Sequence, residues 1–213
     1  MAISPCGGGG GESDLNTLTA SIPTVTFLTG WVWMDKNLGA SQVATSIDDA
    51  AAYGELYQWG WGSDGHEQRT SATTTTLSSS DTPGHGSFIL AAFSPYPYDW
   101  RSPQNDNLWQ GVAGTNNPCP AGFRLPTEAE WQAEIATWSS LDSASAFASP
   151  LKLVSAGYRY HYDGAIGSAG SGGYYWSSSV DGVYARFLYF SSGYAYTYDF
   201  SRAYGLSVRC LED

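Results

Sequence analysis

The residues of this chain with the clearest chemical potential are tyrosines concentrated towards its C-terminal end. Residues 174 to 204 contain eight of the fifteen tyrosines and only four charged side chains. A tyrosine offers a large apolar ring and a hydroxyl group at little cost in conformational entropy, and recognition surfaces combine it with small polar residues for that reason. The composition of this segment therefore predicts binding chemistry.

The aromatic residues of this segment recur at alternate positions, as side chains on one face of a β-strand do. One predicted face carries Phe187, Tyr189, Ser191, Tyr194, Tyr196 and Tyr198. The other face carries Leu188 and Phe190, which with Leu206 and Val208 are sufficient for a core. An alternative is that the tyrosine face is itself a wall of the core, but a buried unpaired hydroxyl costs about 1 to 3 kcal/mol. We therefore expect largely exposed, contiguous side chains at Tyr189, Tyr194, Tyr196, Tyr198 and Phe200.

Metal and catalytic chemistry find little support in the sequence. The three histidines, His66, His85 and His161, lack the ligand spacing of zinc sites. Asp64 and the pair at 48–49 would need several more oxygen ligands to hold calcium. No Gly-x-Ser-x-Gly elbow is present. The sequence predicts no metal, no cofactor and no enzymatic activity.

Length and charge restrict the class of protein further. A chain of 213 residues predicts one domain. Nine Lys and Arg against twenty Asp and Glu give a net charge of −11, which leaves no basic patch for nucleic acid or an anionic membrane surface. The sequence contains no run of about 18 apolar residues and no signal-peptide pattern, so membrane insertion is not expected.

The first residues differ in character from the rest. Residues 1–22 are rich in glycine and predict a flexible tail before a domain at 23–213. Cys6 precedes five glycines, as a lipid-modified cysteine would, but the apolar stretch upstream is missing and a free tail is favoured. Within the domain we expect two short strands broken at Gly30, and long loops at residues 62–87 and 94–118.

Two helices are predicted from their N-terminal signals. Ser46, with an aspartate three residues on, predicts the start of a short helix. Thr127 and Glu130 form a capping box for a second helix, whose buried face carries Trp131, Ile135 and Trp138. The chain beyond residue 172 reads as strands joined by short turns. The fold class is therefore α+β, with helices early and an antiparallel sheet late.

Six motifs occur in order in the domain, namely GWVWMDKNLGA at 30–40, AYGELYQWG at 52–60, NPCPAGFRLPTEAEW at 117–131, SAGYR at 155–159, YWSSS at 175–179 and GLSVRC at 205–210. Over residues 25–211 they resemble the Fibrobacter succinogenes major paralogous domain, a branch of the C-type lectin fold close to the formylglycine-generating enzymes. The resemblance implies a C-type lectin-like fold with two helices, a small antiparallel sheet and long ordered loops. The Glu-Pro-Asn and Trp-Asn-Asp signatures of calcium-dependent sugar binding are absent, so lectin chemistry is not implied.

Thirteen positions lie between or beside the motif anchors, namely Tyr174, Asp181, Val183, Tyr184, Phe187, Tyr189, Ser191, Tyr194, Tyr196, Tyr198, Asp199, Phe200 and Tyr204. This arrangement resembles the variable proteins of diversity-generating retroelements, in which Asn codons of a template are mutated at their adenines. Every residue type in the set is reached from such a codon by changing its first two bases. Trp, Met, Lys, Glu and Gln are not reachable, and none occurs in the set. The resemblance implies that these positions form a variable ligand-binding segment at 174–204.

Cys119 and Cys210 lie within motifs of the resembled family. A bridge there would tie the end of the sheet to the segment before the long helix and would indicate an oxidising compartment. Two buried free thiols are the alternative. Scaffold roles are expected at five anchors, with core positions at Trp176 and Leu188, a tight backbone position at Gly205, and an ion pair at Arg202 or Arg209.

The resemblance implies a receptor-recognition protein that displays a diversified, tyrosine-rich surface to a protein or glycan on another cell or particle. Its expected location is extracellular, on a cell surface or on a virion. Two alternatives stay open. One is a structural or adhesive surface or tail-fibre domain that self-associates as an oligomer. The other is an enzyme of the formylglycine-generating type, although Cys119 and Cys210 do not match the cysteine pair of those enzymes.

Overall fold

The computed structural model describes residues 21–27, 29–91 and 98–213, so Cys6 and nearly all of the predicted tail at 1–22 lie outside the described residues. The strands are β1 (Thr24–Thr26), β2 (Val32–Met34), β3 (Tyr57–Gln58), β4 (Thr73–Thr74), β5 (Phe88–Ile89), β6 (Phe123–Arg124), β7 (Tyr158–Arg159), β8 (Ile166–Gly167), β9 (Gly173–Asp181), β10 (Tyr184–Phe190), β11 (Ala195–Phe200), β12 (Gly205–Leu206) and β13 (Leu211–Glu212). The helices are α1 (Glu128–Ile135) and α2 (Ser143–Ala148). The α+β class is confirmed.

The strands of the described residues form four small sheets. Three are antiparallel, in the orders β1-β2-β13-β6, β11-β10-β9 and β3-β12-β7-β8, and the fourth is the parallel pair of β4 and β5. Strand β13 pairs with β2, which brings the last strand beside the first ones. The expected break between β1 and β2 is confirmed at Gly30, whose φ of 85° belongs to the left-handed region that favours glycine.

Helix α1 begins where its capping box predicts. The Thr127 hydroxyl accepts a hydrogen bond from the Glu130 N–H, and the Glu130 carboxylate accepts one from the Thr127 N–H. Two N–H groups that a helix start leaves unpaired are thereby satisfied. Trp131 is fully buried, and Ile135 and Trp138 pack partly buried against the same cluster.

The helix predicted from Ser46 is wrong. The chain forms only a 3-10 turn at Ala50–Ala52, and the residue that caps it is Asp49. The Asp49 carboxylate accepts hydrogen bonds from the Thr45 N–H and hydroxyl and from the Ala51 N–H, which holds the backbone in a turn. Both α-helices lie mid-chain, so the expectation of an early helix is wrong. The second helix, α2, was not predicted from the sequence. Its signal is Asp142, which accepts from the Ser145 N–H as an N-cap.

Tryptophan dominates the core, since seven of the nine tryptophans are among the largest fully buried side chains. Their indole N–H groups donate to backbone carbonyls in distant parts of the chain. Trp59 donates to the Ser177 carbonyl at 2.9 Å, and Trp176 donates to the Tyr57 carbonyl at 2.7 Å. Trp100 donates in the same way to the Trp59 carbonyl. These bonds order loops such as residues 98–118, which contain neither helix nor strand.

The predicted bridge between Cys119 and Cys210 is confirmed, with Cα atoms 5.9 Å apart. Arg202 forms the expected ion pair, to Asp106 at 2.7 Å, whereas Arg209 donates to the Asn37 side chain. A Cβ atom on Gly205 would lie 3.0 Å from both Arg159 and the Phe88 ring, so this position is as tight as expected. No helix within the described ranges is long and apolar enough to cross a membrane.

Candidate binding surface

The sheet β11-β10-β9 places aromatic side chains on one of its faces. Tyr189 of β10 lies directly opposite Tyr196 of β11 and Tyr174 of β9. Phe187 lies opposite Tyr198 on one side and Trp176 on the other. Directly paired residues project to the same face of a sheet, so these six rings share one face.

The reverse face of this sheet belongs to the core. Leu188 and Phe190 are both fully buried there, as are Leu206 and Val208 elsewhere in the core, which confirms the prediction for all four. Helix α1 lies against this side, where the Thr197 hydroxyl donates to the Glu128 carboxylate at 2.8 Å. The aromatic face of the sheet is therefore backed by the buried side chains of its reverse face.

Exposure on the aromatic face changes from strand to strand. Tyr194, Tyr196 and Tyr198 are 54%, 43% and 57% exposed, as predicted. Tyr189 and Phe200 are only half-buried and not largely exposed, because neighbouring rings cover them on both sides. Phe187 is 4% exposed, since it packs into the cluster that contains Trp176. The face is therefore exposed at its β11 edge and buried around Trp176 and Phe187.

The exposed and half-buried rings enclose a shallow cleft, here named the tyrosine cleft. It has a volume of about 290 Å³ and is lined by Tyr174, Phe187, Tyr189, Tyr194, Tyr196, Tyr198 and Phe200. The ring centroids of Tyr189 lie 4.8 Å from Tyr174 and 5.4 Å from Tyr196, within the range of favourable aromatic contacts. All seven lining residues belong to the thirteen positions named from the sequence.

Two tyrosines of the cleft, Tyr174 and Tyr196, have a raised pKa, so their hydroxyls stay protonated at neutral pH. Burial raises the pKa of Tyr174 to about 12, against a smaller lowering by a hydrogen bond from the Ser168 side chain. Burial also raises the pKa of Tyr196, and the neighbouring hydroxyls of Tyr189, Tyr194 and Tyr198 add to the effect. The cleft therefore offers aromatic rings with hydroxyls that can donate and accept hydrogen bonds.

The other predicted positions do not line the cleft. Asp181 and Val183 are exposed at the turn between β9 and β10, where Asp181 pairs with Arg186. Tyr184 begins β10 beside that turn, and Asp199 lies opposite Arg186 in the strand pairing. The Ser191 carbonyl accepts the Ser143 N–H at the start of α2 at 2.7 Å, while the Ser191 hydroxyl accepts the Gly193 N–H. The last position, Tyr204, borders the cleft through its stacking on Phe200, at 3.7 Å between ring centroids.

A second group of tyrosines lies beside the cleft, and of its members only Tyr204 was predicted from the sequence. The Tyr158 ring lies 5.0 Å from Tyr174, and the Tyr160 ring lies 5.5 Å from Tyr204. Tyr162 in turn lies 6.2 Å from Tyr160. The signal that could have found them is the alternation of tyrosines in residues 158–162. We call Tyr158, Tyr160, Tyr162 and Tyr204 the second tyrosine group.

A group of potential metal ligands lies in the loop after β3. The Nδ1 atom of His66 is 3.0 Å from Asp64 and 3.4 Å from Glu67. Both carboxylates also accept backbone N–H groups of the same loop, and the buried His66 ring stacks on Trp61 at 4.0 Å. Burial lowers the pKa of His66, so its ring is neutral at pH 7. The group holds the loop together through its own hydrogen bonds, and we assign it no metal.

Comparison of the chain with protein-family models, with curated proteins and with solved structures finds no match.

Proposed function

We propose that this protein is a diversified ligand-binding protein that recognises a receptor through a tyrosine-rich surface on a C-type lectin-like scaffold. The observation that carries the proposal is the tyrosine cleft. Its seven lining residues all come from the thirteen positions that resemble the mutable positions of diversity-generating retroelements. A core layer lies behind the same sheet, so the exposed cleft residues Tyr194, Tyr196 and Tyr198 can change while the scaffold stays packed.

The chemistry of the cleft supports binding. The seven rings of the cleft are in contact and supply a large apolar area, and the tyrosine hydroxyls supply polar contacts at the rim. Exposed contiguous aromatic patches of this kind mark interaction sites in soluble proteins. The Cys119–Cys210 disulfide is consistent with a location outside the cell, on a cell surface or on a virion.

Deep sequencing of this gene across a population of its source tests the diversification. We expect substitutions at the thirteen positions and none at the intervening anchors Leu188, Phe190 and Trp176. A nearly identical template repeat beside a reverse transcriptase gene is expected at the same locus. Substitutions spread evenly over anchors and cleft residues would contradict the proposal.

Self-association through the exposed rings is the competing function, that of an adhesive or tail-fibre domain. Size-exclusion chromatography with light scattering separates the two. We expect the same mass for the wild type and for Tyr196→Ser. An oligomer that Tyr196→Ser dissociates would replace receptor recognition by self-association.

A further inference from the structure

The second tyrosine group continues the tyrosine cleft without a break. Phe200 of the cleft stacks on Tyr204, Tyr204 contacts Tyr160, and Tyr160 contacts Tyr162. Tyr160 is 36% and Tyr162 is 51% exposed, values comparable with those of the cleft tyrosines on β11. A ligand that covers the cleft and extends along this row meets rings that lie outside the predicted variable segment.

The Lys and Arg side chains of the protein all interact with groups outside the two tyrosine groups. All nine Lys and Arg residues lie within the described ranges. Four arginines pair with acids, namely Arg101 with Asp81, Arg124 with Glu130 and Asp213, Arg186 with Asp181 and Glu128, and Arg202 with Asp106. Arg69, Arg159 and Arg209 donate to backbone carbonyls, as does Lys36, and Lys152 lies over the Phe147 ring.

No Lys or Arg of the described residues lies over a ring of either tyrosine group. The cation–π contacts in the structure are made by Arg69 on Tyr53, Lys152 on Phe147, Arg159 on Phe88 and Arg202 on Trp59. His161 does contact Tyr160 and Tyr204, but burial lowers its pKa and the ring is neutral at pH 7. The surface therefore presents the negative faces of its rings with no cation of its own on them.

The charge of the whole chain favours the same partner. A net charge of −11 creates a field that attracts cations over long range and raises their rate of association. At contact, a guanidinium group is stabilised when it lies over a tyrosine ring within about 6 Å of the ring centroid. The planar N–H groups of the guanidinium can also donate to tyrosine hydroxyls. The spacing of the rings, about 5 to 6 Å, lets neighbouring rings contact one guanidinium.

We propose that Tyr160 and Tyr162 are binding residues of the same surface, and that its occupant is an arginine-bearing, positively charged loop of a protein partner. This inference rests on the proposed function and extends it in two ways. It adds contact residues outside residues 174–204, and it names the chemical class of the ligand.

Nuclear magnetic resonance of protein labelled with ¹³C on the tyrosine rings tests both parts. The probe is a twelve-residue peptide of alternating Arg and Gly, and its control replaces each Arg by the neutral isostere citrulline. We expect the Arg peptide to shift the ring signals of Tyr160 and Tyr162 together with those of Tyr196 and Tyr198. We expect the citrulline peptide to bind at least about tenfold more weakly, the loss of two or three exposed cation–π contacts.

Variants at these positions separate ring chemistry from hydroxyl chemistry. Tyr160→Phe and Tyr162→Phe keep the ring face and should bind the Arg peptide within about twofold of the wild type. Tyr160→Ser and Tyr162→Ser remove it and should weaken binding about threefold each. Leu141→Ser, at a residue 53% exposed, is the matched control for losing an exposed apolar side chain and should change nothing.

Each alternative result has a separate meaning. Shifts confined to Tyr194, Tyr196 and Tyr198 would overturn the role of Tyr160 and Tyr162 while leaving the proposed function intact. Equal affinity for the Arg and citrulline peptides would overturn the cationic ligand. Maltohexaose, a neutral oligosaccharide, is the third probe, and stronger shifts with it than with the Arg peptide would assign the surface to a glycan.

Discussion

Trp176 and Tyr198 lie in one row across the same face of one sheet, joined by Phe187 between them, yet Trp176 is completely buried and Tyr198 is 57% exposed. The row passes from core to solvent over the width of three strands. Substitutions along it should therefore differ in cost according to strand and not according to residue type.

At the exposed edge of this face, Tyr194→Ser, Tyr196→Ser and Tyr198→Ser should each change the free energy of unfolding by no more than about 0.5 kcal/mol, because exposed rings leave no cavity. Trp176→Ala should cost about 3 to 5 kcal/mol through lost burial and a cavity. Chemical denaturation of both sets measures the contrast. Equal destabilisation of the two sets would contradict a display surface.

In the middle of the row, Phe187→Ser should cost about 3 kcal/mol or more, because Phe187 is buried against Trp176 and Phe200. Tyr189→Ser should have an intermediate cost. The measurement is again the free energy of unfolding in denaturant, with Tyr198→Ser as the control. If Phe187→Ser is as harmless as the control, its buried placement is wrong.

Glu134 should make stability depend on pH. Its side chain is buried, the Oε2 atom has no hydrogen-bond partner among the described residues, and burial raises its pKa to about 7 against a lowering by the Trp138 indole N–H. The folded state then holds more protons than the unfolded state between the ordinary pKa of about 4.5 and about 7, so the free energy of unfolding falls as pH rises through this window. The loss should reach about 3 kcal/mol.

Glu134→Gln removes this titration and isolates it from other groups. Denaturation at pH 5 and pH 8 should show that the variant gains stability relative to the wild type at the higher pH. The wild type and the variant share every other ionisable group, including His66. A difference between them that stays constant from pH 5 to pH 8 would rule out the buried carboxyl as its source.

The disulfide should leave one free thiol in the unfolded, unreduced chain, that of Cys6. Thiol titration in denaturant should find one reactive group before reduction and three after it. Because the bridge closes a loop of 91 residues, reduction should lower the free energy of unfolding by about 4.6 kcal/mol in the chain-entropy account. Three reactive thiols before reduction would disprove the bridge.

Local rules predicted the elements that local interactions decide. The capping box of Thr127 and Glu130 and the alternation around Leu188 depend on residues a few positions apart, and both predictions are confirmed. The helix predicted from Ser46 does not form, because the Asp49 carboxylate accepts backbone N–H groups on both sides and stabilises a turn instead. The burial of Phe187 could not be read from alternation, since Trp176 covers it from a neighbouring strand.

The extent of the surface was also hidden in the sequence. Tyr160 and Tyr204 are far apart along the chain, and their contact exists because β7 and β12 pair in a different sheet from the tyrosine cleft. The alternation of tyrosines within residues 158–162 indicates that they share one face of a strand, but it does not indicate that this face lies beside the tyrosine cleft. The pairing of β7 with β12 brings Tyr160 beside Tyr204 and so places the second tyrosine group next to the cleft.

The indole bonds of the core also bear on the order in which the molecule folds. Trp59 and Trp176 each donate to a carbonyl more than a hundred residues away in sequence, so those bonds form only after both halves of the chain have met. Contacts of such long range slow folding, whereas the hairpin of β10 and β11 closes between neighbours. We therefore expect assembly of the tryptophan framework to limit the folding rate. Replacing the exposed tyrosines of the hairpin should then leave the folding rate of the whole chain unchanged.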